Sequence, residues 1–223
     1  MTNSETFDFF GSWSGGKDSC LALHRMITAG NRCKMLFTMI NESETHSRSH
    51  NITMETLKMQ AGALGLNILT GSATWDGYEK EFIRMITGLH NEGIRHGVFG
   101  DIDLQPHREW VERVCATAGI IPHEPLWQEK RSELVREFID AGFRAKIVVV
   151  NTKQMPERFL GREIDMELVG ELEQLGIDAC GENGEYHSFV YHGPLFNRSL
   201  IFTEHSRSEN EGYAFCNFST SLG

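Results

Sequence analysis

Ser14-Gly15-Gly16-Lys17-Asp18-Ser19 lies between an apolar run, Phe7 to Trp13, and an amphipathic one, Asp18 to Ala29. Two glycines permit a tight turn and close backbone approach, and a helix start aims unpaired N–H groups and a positive dipole at an anion. Lys17 adds a charge and Ser19 a hydroxyl, so these residue types suit a phosphate cradle. The bland alternative is a strand-to-helix turn capped by Asp18 or Ser19. Gly11, Gly16 and Lys17 satisfy G-x-x-x-x-G-K, yet Asp18 stands where such a loop needs Ser or Thr for magnesium. The dinucleotide pattern G-x-G-x-x-G is absent as well.

A second chemical cluster is Glu182, Asn183, Glu185 and His187, two carboxylates, an amide and an imidazole at a glycine-rich turn. In an extended chain Glu185, His187 and Phe189 share one face and Tyr186, Ser188 and Val190 the other, so the polar groups are expected to converge. They could bind a cationic or amide-bearing substrate, shuttle protons, or merely close a polar hairpin. Asp101 and Asp103 follow a third candidate region, an apolar run ending at Gly100, where carboxylates suit Mg²⁺, an acceptor amine or helix capping. His107 and Arg108 open the helix beyond, and Arg108 could steady a phosphate.

Short apolar runs alternate with amphipathic stretches through the first half, the pattern of βα units around a parallel sheet. Strands are expected at Phe7 to Trp13, Met35 to Ile40, Leu66 to Thr70, Gly97 to Gly100 and Gly119 to Pro122, and helices at Asp18 to Ala29 and Tyr78 to His90. The fold class is α/β, a Rossmann-like domain over residues 1–125 with a mainly parallel five-stranded sheet. A smaller mixed α/β subdomain is expected over 126–223, with a helix Ser132 to Ala141, a strand Lys146 to Val150, an acidic helix near Asp165 to Leu175, then antiparallel strands Ser188 to Tyr191, Leu200 to Thr203 and Tyr213 to Phe218. Asn41 to Asn51 reads as a polar loop after a parallel strand, where ligand loops sit.

The 223 residues, 40% hydrophobic and 23% charged, suffice for a core. A net charge of −10 disfavours a generic nucleic-acid binder. Five cysteines without a C-x-x-C pair exclude a disulfide framework or zinc knuckle, and the reducing cytoplasm is the expected home. No basic n-region precedes the first apolar stretch and no run approaches the roughly 18 residues of a membrane helix, so no membrane partner is expected.

Ser14 to Ser19 resembles the SGGxDS loop of the PP-loop ATP pyrophosphatases, and Cys180 to Phe196, CGENGEYHSFVYHGPLF, is similar to the GENGEFHTF…GPLF block of the diphthine–ammonia ligase family. Phe99 to Ile102 with His107 to Trp110, and Pro125 to Trp127 with Leu160 to Arg162 and Ile164-Asp165, resemble that family in order and spacing. Ala179 departs from a usual Pro, Ser188 from Thr with its hydroxyl kept, and His192 from a commonly acidic position.

The resemblance implies a PP-loop domain of the adenine nucleotide α-hydrolase type, using ATP and Mg²⁺. The acceptor is a modified histidine on an elongation factor or another carboxylate, activated by adenylation with release of pyrophosphate and then amidated by free ammonia. Ser14, Gly15, Gly16, Lys17, Asp18, Ser19 and Gly100 would hold the nucleotide, with Lys17 and Asp18 also catalytic. Asp101 or Asp103 would hold the metal, and both are counted with the acceptor site. Glu182, Asn183, Glu185 and His187 would orient the acceptor, with Glu182, Glu185 and His187 moving protons, the turn facing the loop across a cleft. A tRNA-thiolating PP-loop enzyme and a non-catalytic nucleotide sensor are the rival readings; exposed strands in the last lobe leave a homodimer open.

Overall fold

The computed structural model describes residues 6–43, 46–47 and 50–223. Strands β1 (Asp8–Ser12), β2 (Arg32–Ile40), β3 (Ile68–Ser72), β4 (His96–Val98) and β5 (Ile121–His123) form one parallel sheet in the order β3-β2-β1-β4-β5. Helices α1 (Lys17–Thr28), α2 (Met54–Ala63), α3 (Tyr78–Asn91) and α4 (Gln105–Ala118) intervene. The chain leaves β1 toward β2 and returns from β3 to β4 on the other side of β1. The strand order therefore reverses between β1 and β4, and their carboxyl ends open the crevice where doubly wound sheets bind ligands.

Alternation along the strands divides the core. Phe9, Leu36 and Val98 face one side with Leu21 and Leu23 of α1 and Leu57 of α2, while Phe10, Phe37 and Phe99 face the other with Phe82 and Ile86 of α3 and Val111 and Val114 of α4. Helix α2 lies outside the sequence expectation, because its buried residues include the polar Thr56 and Gln60 and no clean apolar stripe marks it.

The remainder comprises α5 (Arg131–Asp140), β6 (Arg144–Asn151), a 3-10 turn (Glu157–Phe159), α6 (Met166–Gln174), β7 (Tyr186–His192), β8 (Leu200–Asn210) and β9 (Tyr213–Leu222). Its sheet is antiparallel in the order β7-β6-β9-β8. The last hairpin outruns its expected length because nearly all of β8 beyond Leu200 is exposed and polar and lacks an apolar signal. Its two-residue turn, Glu211-Gly212, has φ of 51° and 84°, the left-handed pair that matches strand twist.

The two sheets share one core, in which Phe138, Val150 and Phe189 join Phe9 and Leu23. They are stitched together at Gln60, which is fully buried. Its Nε2 donates to the carbonyls of Gly15 at 3.0 Å and Val190 at 2.6 Å, and its Oε1 accepts from Trp13 Nε1 at 2.8 Å. Val190 N–H donates to the Gly15 carbonyl at 3.0 Å, so β7 runs directly against the β1–α1 loop. Arg25 adds a second tie, donating from Nε to Glu137 at 2.9 Å and from Nη1 to the Pro125 carbonyl at 2.7 Å.

Truncating Gln60 would strand the Trp13 indole N–H, take a donor from the Gly15 and Val190 carbonyls and leave a cavity. Gln60→Ala is expected to lower the unfolding free energy by about 3 kcal/mol or more, read from the midpoint of urea denaturation followed by Trp fluorescence.

Candidate active site

The β1–α1 loop is shaped by what surrounds its glycines. Gly15 has φ +82°, and a Cβ there would stand 3.0 to 3.2 Å from Gln60, Ile52 and Leu57. At Gly16, the residue before α1, a Cβ would stand 2.5 Å from His50 Cε1. Gly16 N–H donates to Ser14 Oγ at 3.2 Å, and Ser19 Oγ donates to the Gly16 carbonyl at 3.0 Å. A Cβ on Gly100 would lie 2.8 Å from the Asp18 carbonyl carbon and the Ser19 nitrogen, so the loop after β4 packs its bare backbone on the first turn of α1. Gly100 thus shapes the cradle by its lack of a side chain.

Lys17 is 4% exposed. Its ammonium bonds both Asp18 oxygens, at 2.9 and 2.8 Å, and stands 5.6 Å from the centroid of the Tyr186 ring. Burial pulls the Lys17 ammonium down, but Asp18, Cys180 and Tyr186 together outweigh it and hold the group well above the ordinary lysine value. The cation is therefore fixed. Its backbone N–H is already occupied, donating to Ser188 Oγ at 3.1 Å, so the expected set of loop donors loses that one to β7.

Two cavities flank this pair. One, of about 260 Å³, opens at the carboxyl ends of β1, β2 and β4 and is lined by Ser14, Ser19, Thr38, Gly100 and Asp101 among others. The second, of about 480 Å³, lies toward β7 and is lined by Lys17, Glu182, Asn183, Tyr186 and His187 among others. Asp18 and His50 line both.

The acidic residues after β4 separate. Asp101 faces the first cavity and lies 3.4 Å from His107 Nδ1, which it holds above the ordinary imidazole value through their hydrogen bond. The carboxylate of Asp103 is instead engaged by Arg131 at 2.6 and 2.7 Å, a bidentate pairing that depresses its pKa, and it lines neither of these two cavities. Arg108 likewise engages protein groups: it bonds Glu112 at 2.8 Å and stacks 4.7 Å over Trp127.

The glycine-rich turn also splits its predicted residues. Burial, with repulsion from Asp18, pushes the Glu182 carboxyl up to about 7. Glu185 is 6% exposed and does not converge on the cleft as expected: its oxygens accept from Asn183 N–H and Asn183 Nδ2, both at 3.0 Å. Asn183 is consumed as well, its Oδ1 accepting from Arg131 Nη1 at 2.8 Å, although the residue still borders the second cavity. His187 remains in the cavity wall, its ring 4.6 Å from that of His50. The two-face alternation does not extend to Glu185 because that residue lies in the bend before β7, which begins only at Tyr186.

Family models match along nearly all of the described fold: the diphthamide synthase N-terminal domain over residues 10–122 and the diphthamide synthase C-terminal domain over residues 130–221. The chain belongs to the diphthamide synthase family. It is 29% identical over 215 residues to the diphthine–ammonia ligase of Danio rerio, covering 84% of this chain and 83% of that one. It is 27% identical over 213 residues to the diphthine–ammonia ligase of Homo sapiens, covering 84% and 80%. The resemblance read from the separated motifs is borne out.

Several residues that build this candidate site escape sequence reasoning. Asp178 organises the turn, accepting from Cys180 N–H at 2.9 Å, Glu182 N–H at 3.3 Å and Arg131 Nη1 at 2.7 Å. Tyr186 seats Lys17 over its ring while its hydroxyl donates to the Ala179 carbonyl at 2.7 Å. Gln60, Arg131 and Asp178 carry no motif of their own; a search for polar residues inside apolar stretches would have found Gln60 alone.

Gly100→Ala is expected to destabilise the fold by roughly 2 kcal/mol, since backbone atoms cannot step aside. Gly62→Ala, in α2 with nothing within 4 Å of the new Cβ, is expected to stabilise it by up to about 1 kcal/mol. Paired thermal melts compare the two directly.

Proposed function

We propose that this protein is an ATP-dependent ligase that adenylates a diphthine-like carboxylate, releases pyrophosphate and joins ammonia to the activated carbon as an amide. The observation carrying this reading is the meeting of two cavities at Asp18 and His50, with the buried Lys17 ammonium, paired to Asp18, in the wall of the second. One cavity sits at the switch point of a parallel sheet, where nucleotides bind; the other is walled by ionisable groups suited to an acceptor and its proton traffic.

In this mechanism the adenosine end occupies the cavity at β1, β2 and β4, and the phosphates lie along Ser14, Gly15, Gly16 and the first turn of α1. Lys17 meets the negative charge that develops on the departing pyrophosphate. Because Asp18 and Tyr186 already hold the ammonium, little reorganisation is needed as that charge appears. Asp18 and Asp101 both line the nucleotide cavity and suit magnesium, which commonly takes one or two carboxylates along with substrate phosphates. Bound there, the ion would neutralise phosphate charge. No group of three or more potential metal-ligating side chains occurs among the described residues, in keeping with a metal that arrives with its nucleotide.

Glu182 serves the second half-reaction. A carboxyl titrating near 7 is about half ionised at neutral pH, and as carboxylate it accepts the proton that the attacking nitrogen sheds. Diphthine is the acceptor class named for the relatives, and in this reading the acceptor enters the second cavity. Asp178 and Arg131 keep the Glu182 turn closed around that space.

The test uses ³¹P NMR with MgATP, ammonium and diphthine-bearing elongation factor 2. AMP and pyrophosphate are expected, reduced at least about a hundredfold in Lys17→Ala; ADP and phosphate would refute the reading. A second expectation follows from the sign of the Glu182 shift: the active carboxylate is present above about 7 and lost as pH falls through it. The ratio of parent to Glu182→Gln turnover, in which the titration of ammonium cancels, should rise across that range. A flat ratio would remove Glu182 from proton transfer.

A further inference from the structure

We propose that the paired imidazoles of His50 and His187 form the binding site for the nucleophile, holding it as neutral ammonia; this rests on the amide-forming reading above. His50 Nδ1 lies 2.9 Å from the Ser188 carbonyl oxygen, which only accepts. Nδ1 must therefore carry the proton and donate, which leaves the lone pair on Nε2. The His187 ring lies 4.6 Å from that of His50, and both border the second cavity with Lys17, Asp18, Glu182 and His107. Whichever nitrogen of His187 holds its proton, the neutral ring keeps one lone pair.

Burial keeps both rings uncharged. His50 is drawn below the ordinary imidazole value, and burial together with His50 and Lys17 lowers His187 to about 3. At His50 the attraction of Asp18 offsets the repulsion of Lys17, with which Asp18 is paired, so the neutral rings hold the nucleophile by hydrogen bonds and not by charge. A metal is a poor alternative occupant, since no third ligating side chain joins the pair among the described residues.

Ammonia has three N–H donors and a single lone pair. Acceptors that engage its N–H groups leave that lone pair unbound and nucleophilic, whereas water has only two donors to offer and two lone pairs that call for donors. With the Glu182 carboxylate as a third acceptor in the same cavity, all three N–H groups of ammonia are matched, one more than water can offer, and the site thereby favours aminolysis of the acyl-adenylate over its hydrolysis. In the step itself a C–N bond forms between ammonia and the acyl carbon, the C–O bond to AMP breaks, and the proton released from nitrogen passes to the Glu182 carboxylate.

Two substitutions remove the acceptors while keeping the packing. His50→Asn retains a donor for the Ser188 carbonyl but loses Nε2, and His187→Phe keeps a ring beside His50 without a lone pair. The assay uses MgATP, ammonium chloride and diphthine-bearing elongation factor 2, with acceptor-dependent exchange of labelled pyrophosphate into ATP measured in the absence of ammonium. Each variant is expected to raise the KM for ammonia at least about tenfold, the equivalent of one lost hydrogen bond at the strong end, with KM for ATP within about twofold. More ATP should be spent per amide formed, and His187→Gln, which restores an acceptor, should recover most of the loss. An unchanged KM for ammonia in both variants, with exchange intact, would overturn the ammonia site alone. Absence of acceptor-dependent exchange in the unaltered protein would overturn the adenylation reading and this inference with it.

Discussion

The Gly15 carbonyl accepts two hydrogen bonds in a dry interior, from Val190 N–H and from Gln60 Nε2, and the remainder of the site is arranged around that node. Through it the nucleotide loop of the parallel sheet becomes a neighbour of the edge strand of the antiparallel one. Lys17 then lies beside Tyr186 and Ser188, which are remote in sequence, and the two cavities acquire a common wall. A buried amide satisfied at both ends is difficult to replace, because any shift of α2, β1 or β7 strands a polar group.

Electrostatics follow from this packing. Lys17 and Asp18 enter the interior as a pair, so the cation persists where a lone lysine would lose its proton. Around the pair, burial has opposite consequences for acids and bases: it raises Glu182 toward neutrality and keeps His50 and His187 uncharged. Proton acceptors of different strength thus share one cleft, a useful arrangement for a nucleophile that must arrive neutral and depart with one proton fewer.

A second framework of charge keeps the glycine-rich turn in place. Arg131, the first residue of α5, binds Asp103 from the parallel-sheet half and Asp178 and Asn183 from the turn. It spans the two halves where the family's domain matches also divide, between residues 122 and 130. Arg25 repeats the pattern further back, reaching from α1 to Glu137 on α5. These ion pairs are partly exposed, and their effect is to orient rather than to stabilise strongly.

Much of this was legible in the amino-acid order. Alternating apolar runs specified a parallel α/β sheet, and the Ser14 to Ser19 loop and the Cys180 to Phe196 block specified the family, because turn glycines, helix starts and strand periods are local properties of adjacent residues. Tertiary structure decided which acidic groups remain available. Asp101 and Asp103 look alike in sequence, as do Glu182 and Glu185. Only folding brings Arg131 to Asp103 and curls Asn183 onto Glu185, leaving Asp101 and Glu182 at the cavities. Whether a carboxylate serves chemistry or architecture depends on which partners and how much water surround it, and both are set by residues far away along the chain.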